Sequence, residues 1–375
     1  MAGLNTLFGQ EMAVSAMRRA LESDRLAGTY LFVGADGTGK RTVAQALAQA
    51  AACTNPVLTP YDACGECESC RRAETSTHPD IISVGPAGEQ IQIGQLWDRQ
   101  GKHGSGVLSR TLSYAPVIGN RRVYIIEKAD RLSEAAANSL LKVLEEPPPY
   151  ALFLLLAPHP ARVLPTVLSR CQVIRLAAVP KSDLSAYLES ATDLDPMRAE
   201  TVAAYSEGRI GQAMTLARGS AIAGEIGRVL DFAESLPQAP GYRALRAAEQ
   251  LRKLASQASA LVGEEMAEAA EATSASGEAG TAKDKTARKQ YAAVFDLLVT
   301  FYRDLLAIRV GAPGDALVNR DRMKSLQGLA VAGSPQRWQA CLDALLSARR
   351  RLDANGNIAL VTEILLMNLL DSRSI

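Results

Sequence analysis

The amino-acid sequence predicts an N-terminal α/β domain built on a parallel sheet, followed by regions made only of helices. Up to about residue 176, short apolar runs alternate with helical patterns, which is typical of strands and helices that follow one another. Most of these runs lack internal polar residues, and this favours parallel strands that are buried on both faces. Beyond Val179-Pro180 the apolar periodicity is that of helices throughout.

Five short apolar segments are the candidate strands of this sheet. They are Thr29–Val33, Asp80–Val84, Arg122–Ile126, Ala151–Leu156 and Gln172–Leu176. Between the third and fourth segments, Ser133 is placed to cap a helix that runs through AAANSLLKVLEE. The prolines at 147, 148 and 149 end that helix, because proline lacks the N–H group and clashes with the preceding turn.

The length and composition are those of a globular protein with two or three domains. The chain has 375 residues and a mass of 39.9 kDa, and a usual domain has about 100 to 200 residues. Lys and Arg total 41 against 40 Asp and Glu, so the net charge of +1 provides no general attraction to nucleic acids or membranes. Any contact with nucleic acid is therefore expected to be local.

Neither a membrane helix nor a signal peptide is expected. No run approaches the roughly 18 apolar residues that a membrane helix needs. The N-terminal segment MAGLNTLFGQE carries an acid where a signal peptide carries basic residues. We therefore expect a cytoplasmic protein with no membrane partner.

Changes in the sequence pattern divide the chain into three expected domains. We expect the α/β domain at 1–179, a small helical domain at 180–220 and a larger helical domain at 221–375. Within the last, residues 263–289 are rich in Ala, Glu, Ser, Gly and Lys and have little to bury, which predicts a flexible insert. The apolar stripes of the final helices indicate either a surface that needs partners or a self-contained bundle.

A phosphate-binding loop is predicted directly after the first strand. The pattern G-x-x-x-x-G-K in this position points backbone N–H groups and a lysine at phosphates. The candidate nucleotide-binding residues are Gly34, Gly37, Thr38, Gly39, Lys40 and Thr42. Arg41, however, stands where a Ser or Thr hydroxyl coordinates magnesium, and Thr42 lies one residue later on a different helical face.

The end of the third strand also departs from a nucleotide-hydrolysing site. Such a site needs acids here, one to hold magnesium and one to activate water. Glu127 can still reach a metal, but Lys128 stands where the second acid belongs, and an ammonium group cannot accept a proton. We interpret the pattern as a retained fold with a degenerate site, the alternative being a working ATPase. Whether ATP binds is left open.

Four cysteines lie close together and predict a metal site. They are Cys53, Cys64, Cys67 and Cys70, in a module of about residues 53–70. Structural zinc takes a closed tetrahedral shell of four thiolates, and this spacing supplies one. Free thiols and a four-cysteine iron–sulfur cluster are the alternatives. Cys171 and Cys341 lie apart from this cluster, and we interpret them as small buried side chains.

With these features placed, the sequence resembles the AAA+ clamp-loader family of bacterial DNA polymerase III. The segments that carry the resemblance are GQE at 9–11, YLFVGADGTGKRT around Lys40, the CGECESC knuckle, HPDI at 78–81, VYIIEKADRLSEAAANSLLKVLEEPPP at 123–149 and LPTVLSRCQVIRL at 164–176. The resemblance is dense from about Leu7 to Leu176. It is looser in the C-terminal stretches RDLLAIR and RRLDANGNIAL.

The resemblance implies a P-loop sheet domain with an inserted zinc knuckle, a helical lid at 180–220 and an all-α collar at 221–375. In this family five subunits, including gamma/tau and delta types, join in a ring that loads a sliding clamp onto primed DNA. Arg170 matches the arginine of the family's Ser-Arg-Cys motif, which reaches the neighbouring subunit's ATP. A planar guanidinium suits a γ-phosphate. Pairing of Arg170 with a local acid is the alternative.

Departures from the family's active ATPase subunits predict a subunit without intrinsic activity. Besides Arg41 and Lys128, the segment Leu156–Pro160 lacks the polar Thr or Asn of an active sensor strand. Gly211 stands where active subunits have a second sensing arginine, with Arg209 as the alternative residue for that position. Polymerase activity belongs to the holoenzyme as a complex. The alternative is an active gamma/tau-type subunit that hydrolyses ATP.

Contact with DNA is expected through the helix after Ser133. Asn138 and Lys142 are the candidate contacts to the DNA backbone, the alternative being a solvent-exposed helix surface. A zinc knuckle that reads DNA through Arg71-Arg72 is less well supported, because the acidic residues around it dilute the positive potential.

Overall fold

The structure, a computed structural model, describes residues 3–58, 61–98, 106–218, 222–258 and 279–371. These residues form two compact units. The first comprises residues 1–180 with 208–211, and the second comprises residues 181–207 with 212–375. The break at Pro180 adjoins the expected end of the α/β domain.

A five-stranded parallel sheet forms the centre of the first unit. Its strands are β1 (Thr29–Val33), β4 (Ile81–Val84), β5 (Arg122–Ile126), β6 (Ala151–Ala157) and β7 (Gln172–Arg175), while β2 (Val57–Leu58) and β3 (Tyr61–Asp62) form a separate antiparallel pair. They lie in the order β4, β5, β6, β1, β7, and every neighbouring pair is parallel. This confirms the predicted sheet. The three inner strands are buried along their whole length, as their continuous apolar sequences require.

Helices cover both faces of the sheet. They are α1 (Glu11–Glu22), α2 (Lys40–Ala52), α3 (Glu68–Glu74), α4 (Ile93–Leu96), α5 (Val107–Thr111), α6 (Glu134–Glu145) and α7 (Pro165–Leu168). Tyr30 and Phe32 of β1 pack with α1 and α2 in one apolar cluster. Leu31 and Val33 point to the opposite face, into a second cluster that includes Leu140 of α6. The alternation along β1 thus builds one core layer on each side.

Helix α6 begins and ends as the sequence predicts. The Ser133 hydroxyl oxygen accepts a hydrogen bond from the Ala136 N–H at 3.3 Å, which satisfies one of the free donors of the first turn. The helix ends at Glu145, two residues before Pro147. Its buried face, which includes Leu140 and Leu144, packs on the sheet.

A buried ion pair fixes the loop that leads into β5. Asp80 and Arg122 are 0% and 3% exposed, and Arg122 Nη2 lies 2.8 Å from Asp80 Oδ1. The Asp80 carboxylate also accepts hydrogen bonds from the N–H groups of Val117, Ile118 and Gly119, at 2.8 to 3.1 Å. Burial alone would raise the pKa of Asp80, but these donors outweigh it and hold the pKa below its usual value.

The second unit is helical. Its helices are α8 (Lys181–Ala191), α9 (Pro196–Ser206), α10 (Ile210–Arg218), α11 (Ile222–Ser235), α12 (Ala244–Gln257), α13 (Ala279–Arg309), α14 (Met323–Val331), α15 (Pro335–Asp353) and α16 (Ile358–Asp371), and the first residues of α10 are grouped with the first unit. Helix α13 packs along α15, where the Tyr302 and Trp338 rings lie 6.2 Å apart. Helices long and apolar enough to cross a membrane are absent from the part of the chain that the structure describes.

The second unit differs from the sequence expectation in two ways. The helices of the expected lid at 180–220 belong mostly to the same unit as the collar helices, and the Tyr205 hydroxyl of α9 donates a hydrogen bond to Asn319 before α14. Of the expected insert at 263–289, residues 263–278 lie outside the described residues. Residues 279–289 are helical. Ala, Lys and Arg favour a helix, and this helix continues into a segment with a buried face that starts at Tyr291.

Candidate functional site

The loop between β1 and α2 has the backbone shape of a phosphate-binding loop. Gly37 and Gly39 have φ angles of +86° and +91°, a region that strains residues with a Cβ atom. Thr38 is buried, and its hydroxyl donates a hydrogen bond to the Ala35 carbonyl at 2.8 Å. The N–H groups of the first turn of α2 follow directly, and they carry the positive end of the helix dipole.

Lys40 is held by the loop itself. Its Nζ atom donates hydrogen bonds to the carbonyl oxygens of Gly34 and Ala35, at 2.7 and 2.9 Å. It also lies 3.2 Å from the exposed carboxylate of Asp36. The ammonium group is therefore at the mouth of the loop, and its charge is partly compensated by groups of this chain.

Arg41 of the phosphate-binding loop and Glu127 after β5 form an ion pair. Arg41 Nη2 lies 3.4 Å from Glu127 Oε1, across a cleft of about 290 Å³. Glu127 is the acid that the sequence leaves available for a metal, and the guanidinium of Arg41, whose side chain is 62% exposed, lies beside its carboxylate. A magnesium ion at this carboxylate would compete with Arg41, because two cations at one carboxylate repel each other.

After β5, the wall of the cleft carries Lys128 where a hydrolysing site has its water-activating carboxylate. Lys128 lies two residues after β5, its backbone is in the left-handed region with φ +55°, and its side chain is exposed at the cleft. Leu156, Ala157 and Pro158 line the opposite wall, where an active sensor strand would place a polar group. Thr42 also lines the cleft. The structure therefore brings the candidate loop and strand residues together around one cleft.

Gly211 meets the loop through its backbone. Its N–H donates a hydrogen bond to the Gly37 carbonyl at 2.8 Å. A Cβ atom at residue 211 would lie 3.1 Å from that oxygen, closer than most Cβ contacts. Close backbone approach thus occupies the place where the resemblance implies a sensing arginine.

The four cysteines of the predicted metal site do come together. Cys53 follows α2, and the other three lie around the start of α3. All four Sγ atoms lie within 4.8 Å of one another, and Cys53–Cys67 and Cys64–Cys70 are each 3.9 Å apart. Tetrahedral zinc with Zn–S bonds near 2.3 Å requires sulfur atoms about 3.8 Å apart. The four residues therefore fit a zinc ion.

The surroundings of the sulfur atoms also suit thiolates. Backbone N–H groups of Cys64, Cys67 and Cys70 point at the sulfurs of Cys53, Cys64 and Cys67, at 3.3 to 3.4 Å. Burial by itself raises the pKa of Cys67, but hydrogen bonds from Thr54 and the Cys70 N–H lower that pKa to about 5. Burial raises the pKa of Cys53 and Cys70. A bound cation would displace the protons of those two thiols.

Arg170 lies after α7, beside the edge strand β7, and forms a local ion pair. Its Nη2 and Nε atoms lie 2.9 and 3.0 Å from Glu145 Oε2, and Nη1 donates to the Thr166 carbonyl at 3.0 Å. The Arg170 side chain is 29% exposed and the Glu145 side chain 60% exposed. The pairing that the sequence left as the alternative is therefore present in this chain, at an exposed edge.

The two candidate DNA contacts lie on the exposed face of α6. Asn138 and Lys142 are four residues apart, about one helical turn, and both side chains are exposed. This placement is compatible with contact to a phosphate backbone and also with a simple solvent-exposed surface.

Sequence reasoning missed two partners of the predicted residues. Arg41 and Glu127 carry opposite charges in two motifs that both border a nucleotide cleft, and this is a signal for a pair. The sequence places Glu145 only at the end of a predicted helix. The distance between Glu145 and Arg170 in the chain gives no signal for their contact.

Comparison with known proteins identifies the family. Family models described as "DNA polymerase III, delta subunit" and "DNA polymerase III, delta subunit, C terminal" match residues 9–180 and 281–372. The DNA polymerase III subunit delta' of Bacillus subtilis is 28% identical over 361 residues, which cover 96% of this chain and 96% of that protein.

Two further relatives match less than half of the chain. The subunit delta' of Pseudomonas aeruginosa is 37% identical over 147 residues, 39% of this chain and 42% of that protein. The subunit tau/gamma of Haemophilus influenzae is 35% identical over 181 residues, 48% of this chain and 24% of that protein. Because the family models match both parts of the chain and the Bacillus protein aligns almost end to end, this chain belongs to the delta-prime family of DNA polymerase III clamp-loader subunits.

Proposed function

We propose that this chain is a non-hydrolysing AAA+ subunit of the clamp loader, which supplies Arg170 to the ATP of a neighbouring subunit. The observation that carries the proposal is the Arg41–Glu127 ion pair in its own cleft. A subunit that cannot hold magnesium or activate water contributes to ATP turnover only through another subunit's site.

Three features of the cleft argue against hydrolysis by the chain itself. The carboxylate of Glu127 is paired with Arg41, Lys128 cannot act as a base, and Gly211 offers no side chain. The loop around Lys40 nevertheless keeps a shape suited to phosphate. The isolated chain should therefore release no phosphate from ATP above a Lys40→Ala control, with magnesium and primed DNA present. Phosphate release that disappears in Lys40→Ala would support the alternative, an active gamma/tau-type subunit.

The position of Arg170 supports a role in trans. It lies at the edge of the sheet, is partly exposed, and its only described acidic partner is itself exposed. An exposed ion pair of this kind contributes little to stability, at most about 1 kcal/mol. Loss of Arg170 should therefore leave the fold intact, and its function can be tested separately from folding.

The test of Arg170 uses the reconstituted loader with wild-type partner subunits. Arg170→Ala should slow the ATP turnover stimulated by clamp and primed DNA about tenfold or more, with several active sites in the complex masking part of the usual effect of an arginine finger. Arg162→Ala, which removes an exposed arginine from the connection between β6 and α7, is the control. Turnover at the wild-type rate in Arg170→Ala would exclude the finger.

We also propose that the four-cysteine cluster holds one structural zinc ion. The sulfur spacing supports a closed site, which leaves no position for a catalytic water. Zinc released by a thiol-modifying reagent should amount to about one ion per chain. Absence of metal, or iron with visible absorbance, would exclude structural zinc.

The relatives support the remaining assignments. Their names, delta' and tau/gamma, support assembly with other clamp-loader subunits. We propose that gamma/tau and delta types join this chain in a ring of five. We propose that the lid and collar regions serve this assembly, and that Asn138 and Lys142 contact primed DNA while the ring loads the sliding clamp. Such a protein works in the cytoplasm. The mass of the complex that co-purifies with untagged chain tests the stoichiometry.

A further inference from the structure

The Glu145 carboxylate contacts one particular edge of the Arg170 guanidinium group. Glu145 Oε2 accepts from both Nε and Nη2, at 3.0 and 2.9 Å. On the other side, Nη1 donates to the Thr166 carbonyl at 3.0 Å and lies 3.4 Å from Ser169 Oγ. A guanidinium group has two forked edges, and the carboxylate occupies the Nε–Nη2 edge. The Nη1–Nη2 edge, which can span two phosphate oxygens, therefore points away from Glu145.

We propose that Glu145 is a positioning residue for Arg170. Its carboxylate holds the Nε–Nη2 edge of the guanidinium, so that the Nη1–Nη2 edge is directed outward toward an anion supplied by another subunit. This inference rests on the proposed function of Arg170. An unrestrained arginine on the surface samples many rotamers, and it must lose that freedom when it meets a phosphate. A side chain already held in place loses less, which favours the transition state when the geometry is correct.

The place of Glu145 in the fold supports this role. It is the last residue of α6, the helix that Ser133 caps and that packs on the sheet through Leu140 and Leu144. A carboxylate on a packed helix is a fixed anchor, whereas Arg170 lies on a short connection. Asn138 and Lys142, the candidate DNA contacts, are on the same helix, so DNA contact and the anchor share one rigid element.

The Glu145–Arg170 ion pair contributes little to the stability of the fold. Glu145 is 60% exposed and Arg170 is 29% exposed, and solvent screens most of the attraction between such groups. The carboxylate therefore acts chiefly on the orientation of the guanidinium. Its effect should appear in turnover and not in folding.

The test compares Glu145→Gln with Glu146→Gln in the reconstituted loader, with wild-type partners, clamp and primed DNA. Glutamine keeps the size of the side chain and removes its charge. Glu146 is the adjacent exposed acid, and its carboxylate makes no ion pair within the described residues. We expect Glu145→Gln to lower kcat for ATP about fivefold while KM for ATP changes less than about twofold, because an arginine acting at the transition state affects mainly kcat. Glu146→Gln should turn over ATP at the wild-type rate.

A double variant separates failure of this inference from failure of the proposed function. If Glu145 acts through Arg170, Glu145→Gln combined with Arg170→Ala should be no slower than Arg170→Ala alone. A wild-type rate in Arg170→Ala would remove the proposed function and this inference with it. The positioning role alone would be overturned if Arg170→Ala turned over ATP slowly while Glu145→Gln turned it over at the wild-type rate or faster. Equal losses in Glu145→Gln and Glu146→Gln would also overturn it.

Discussion

Replacement of Asp80 by Asn should destabilise the first unit strongly. Asn has nearly the same volume as Asp but no charge, so Arg122, which is 3% exposed, keeps a buried positive charge without its counter-ion. Removing one partner of a buried ion pair costs about 3 to 5 kcal/mol. For a unit of this size each kcal/mol lowers Tm by about 2 to 4 °C, so a decrease of roughly 6 to 20 °C is expected.

Urea unfolding followed by tryptophan fluorescence can assign the loss to the first unit. The chain has two tryptophans, Trp97 in the first unit and Trp338 in the second. In a Trp338→Phe background, Asp80→Asn should therefore shift the transition reported by Trp97. The control is Asp24→Asn, because Asp24 pairs with Arg121 at 3.1 Å but is 91% exposed. That pair should contribute less than about 1 kcal/mol.

The pH dependence gives a second check of the same ion pair. The pKa of Asp80 is lowered in the folded state, so its stabilising effect is fully present above the pKa of an unfolded Asp, about 3.9. The effect is lost as the pH falls through the lower, folded value. The difference in stability between wild type and Asp80→Asn should therefore be constant from neutral pH to about pH 5 and decrease below about pH 4. A change in stability equal to that of Asp24→Asn at neutral pH would refute this reasoning.

Three further predictions concern the metal, the helix cap and the arginine. Cys67→Ser should reduce bound zinc and lower the Tm of the first unit, because three sulfurs leave the shell of a structural ion open; full zinc content in this variant would contradict the assignment. Ser133→Ala should destabilise the first unit by about 1 kcal/mol, since the Ala136 N–H loses its acceptor, and urea unfolding at the Trp97 signal measures this. Arg170→Lys should turn over ATP in the loader nearly as slowly as Arg170→Ala, because an ammonium group lacks the fork that spans two phosphate oxygens; a wild-type rate would show that charge alone suffices.

The three inner strands were predictable because burial on both faces requires a continuous apolar sequence. The prediction of Asp80–Val84 began one residue before the observed β4, since the carboxylate of Asp80 turns into the loop before β5. The two-residue strands β2 (Val57–Leu58) and β3 (Tyr61–Asp62) were not predicted, because segments so short have no periodicity. Strand order depends on which strands form hydrogen bonds along their edges, and an apolar run does not show which strand is its neighbour.

The candidate site was predictable where one segment of chain builds it. The loop from Gly34 to Lys40 and the cysteine knuckle are local motifs whose spacing fixes their geometry. The pairing of Arg41 with Glu127, and that of Glu145 with Arg170, join residues far apart in the chain, and single positions do not reveal such contacts. The grouping of the lid helices with the collar was missed for the same reason, since the bond between Tyr205 and Asn319 spans more than one hundred residues.

The Arg41–Glu127 pair replaces a diffusible ion by a tethered one. A magnesium ion leaves and returns with nucleotide, so a site that depends on it follows the supply of ATP in the cell. A guanidinium attached to the chain needs no supply of metal or nucleotide. The positive charge beside Glu127 is therefore encoded in the sequence and does not depend on a bound ion.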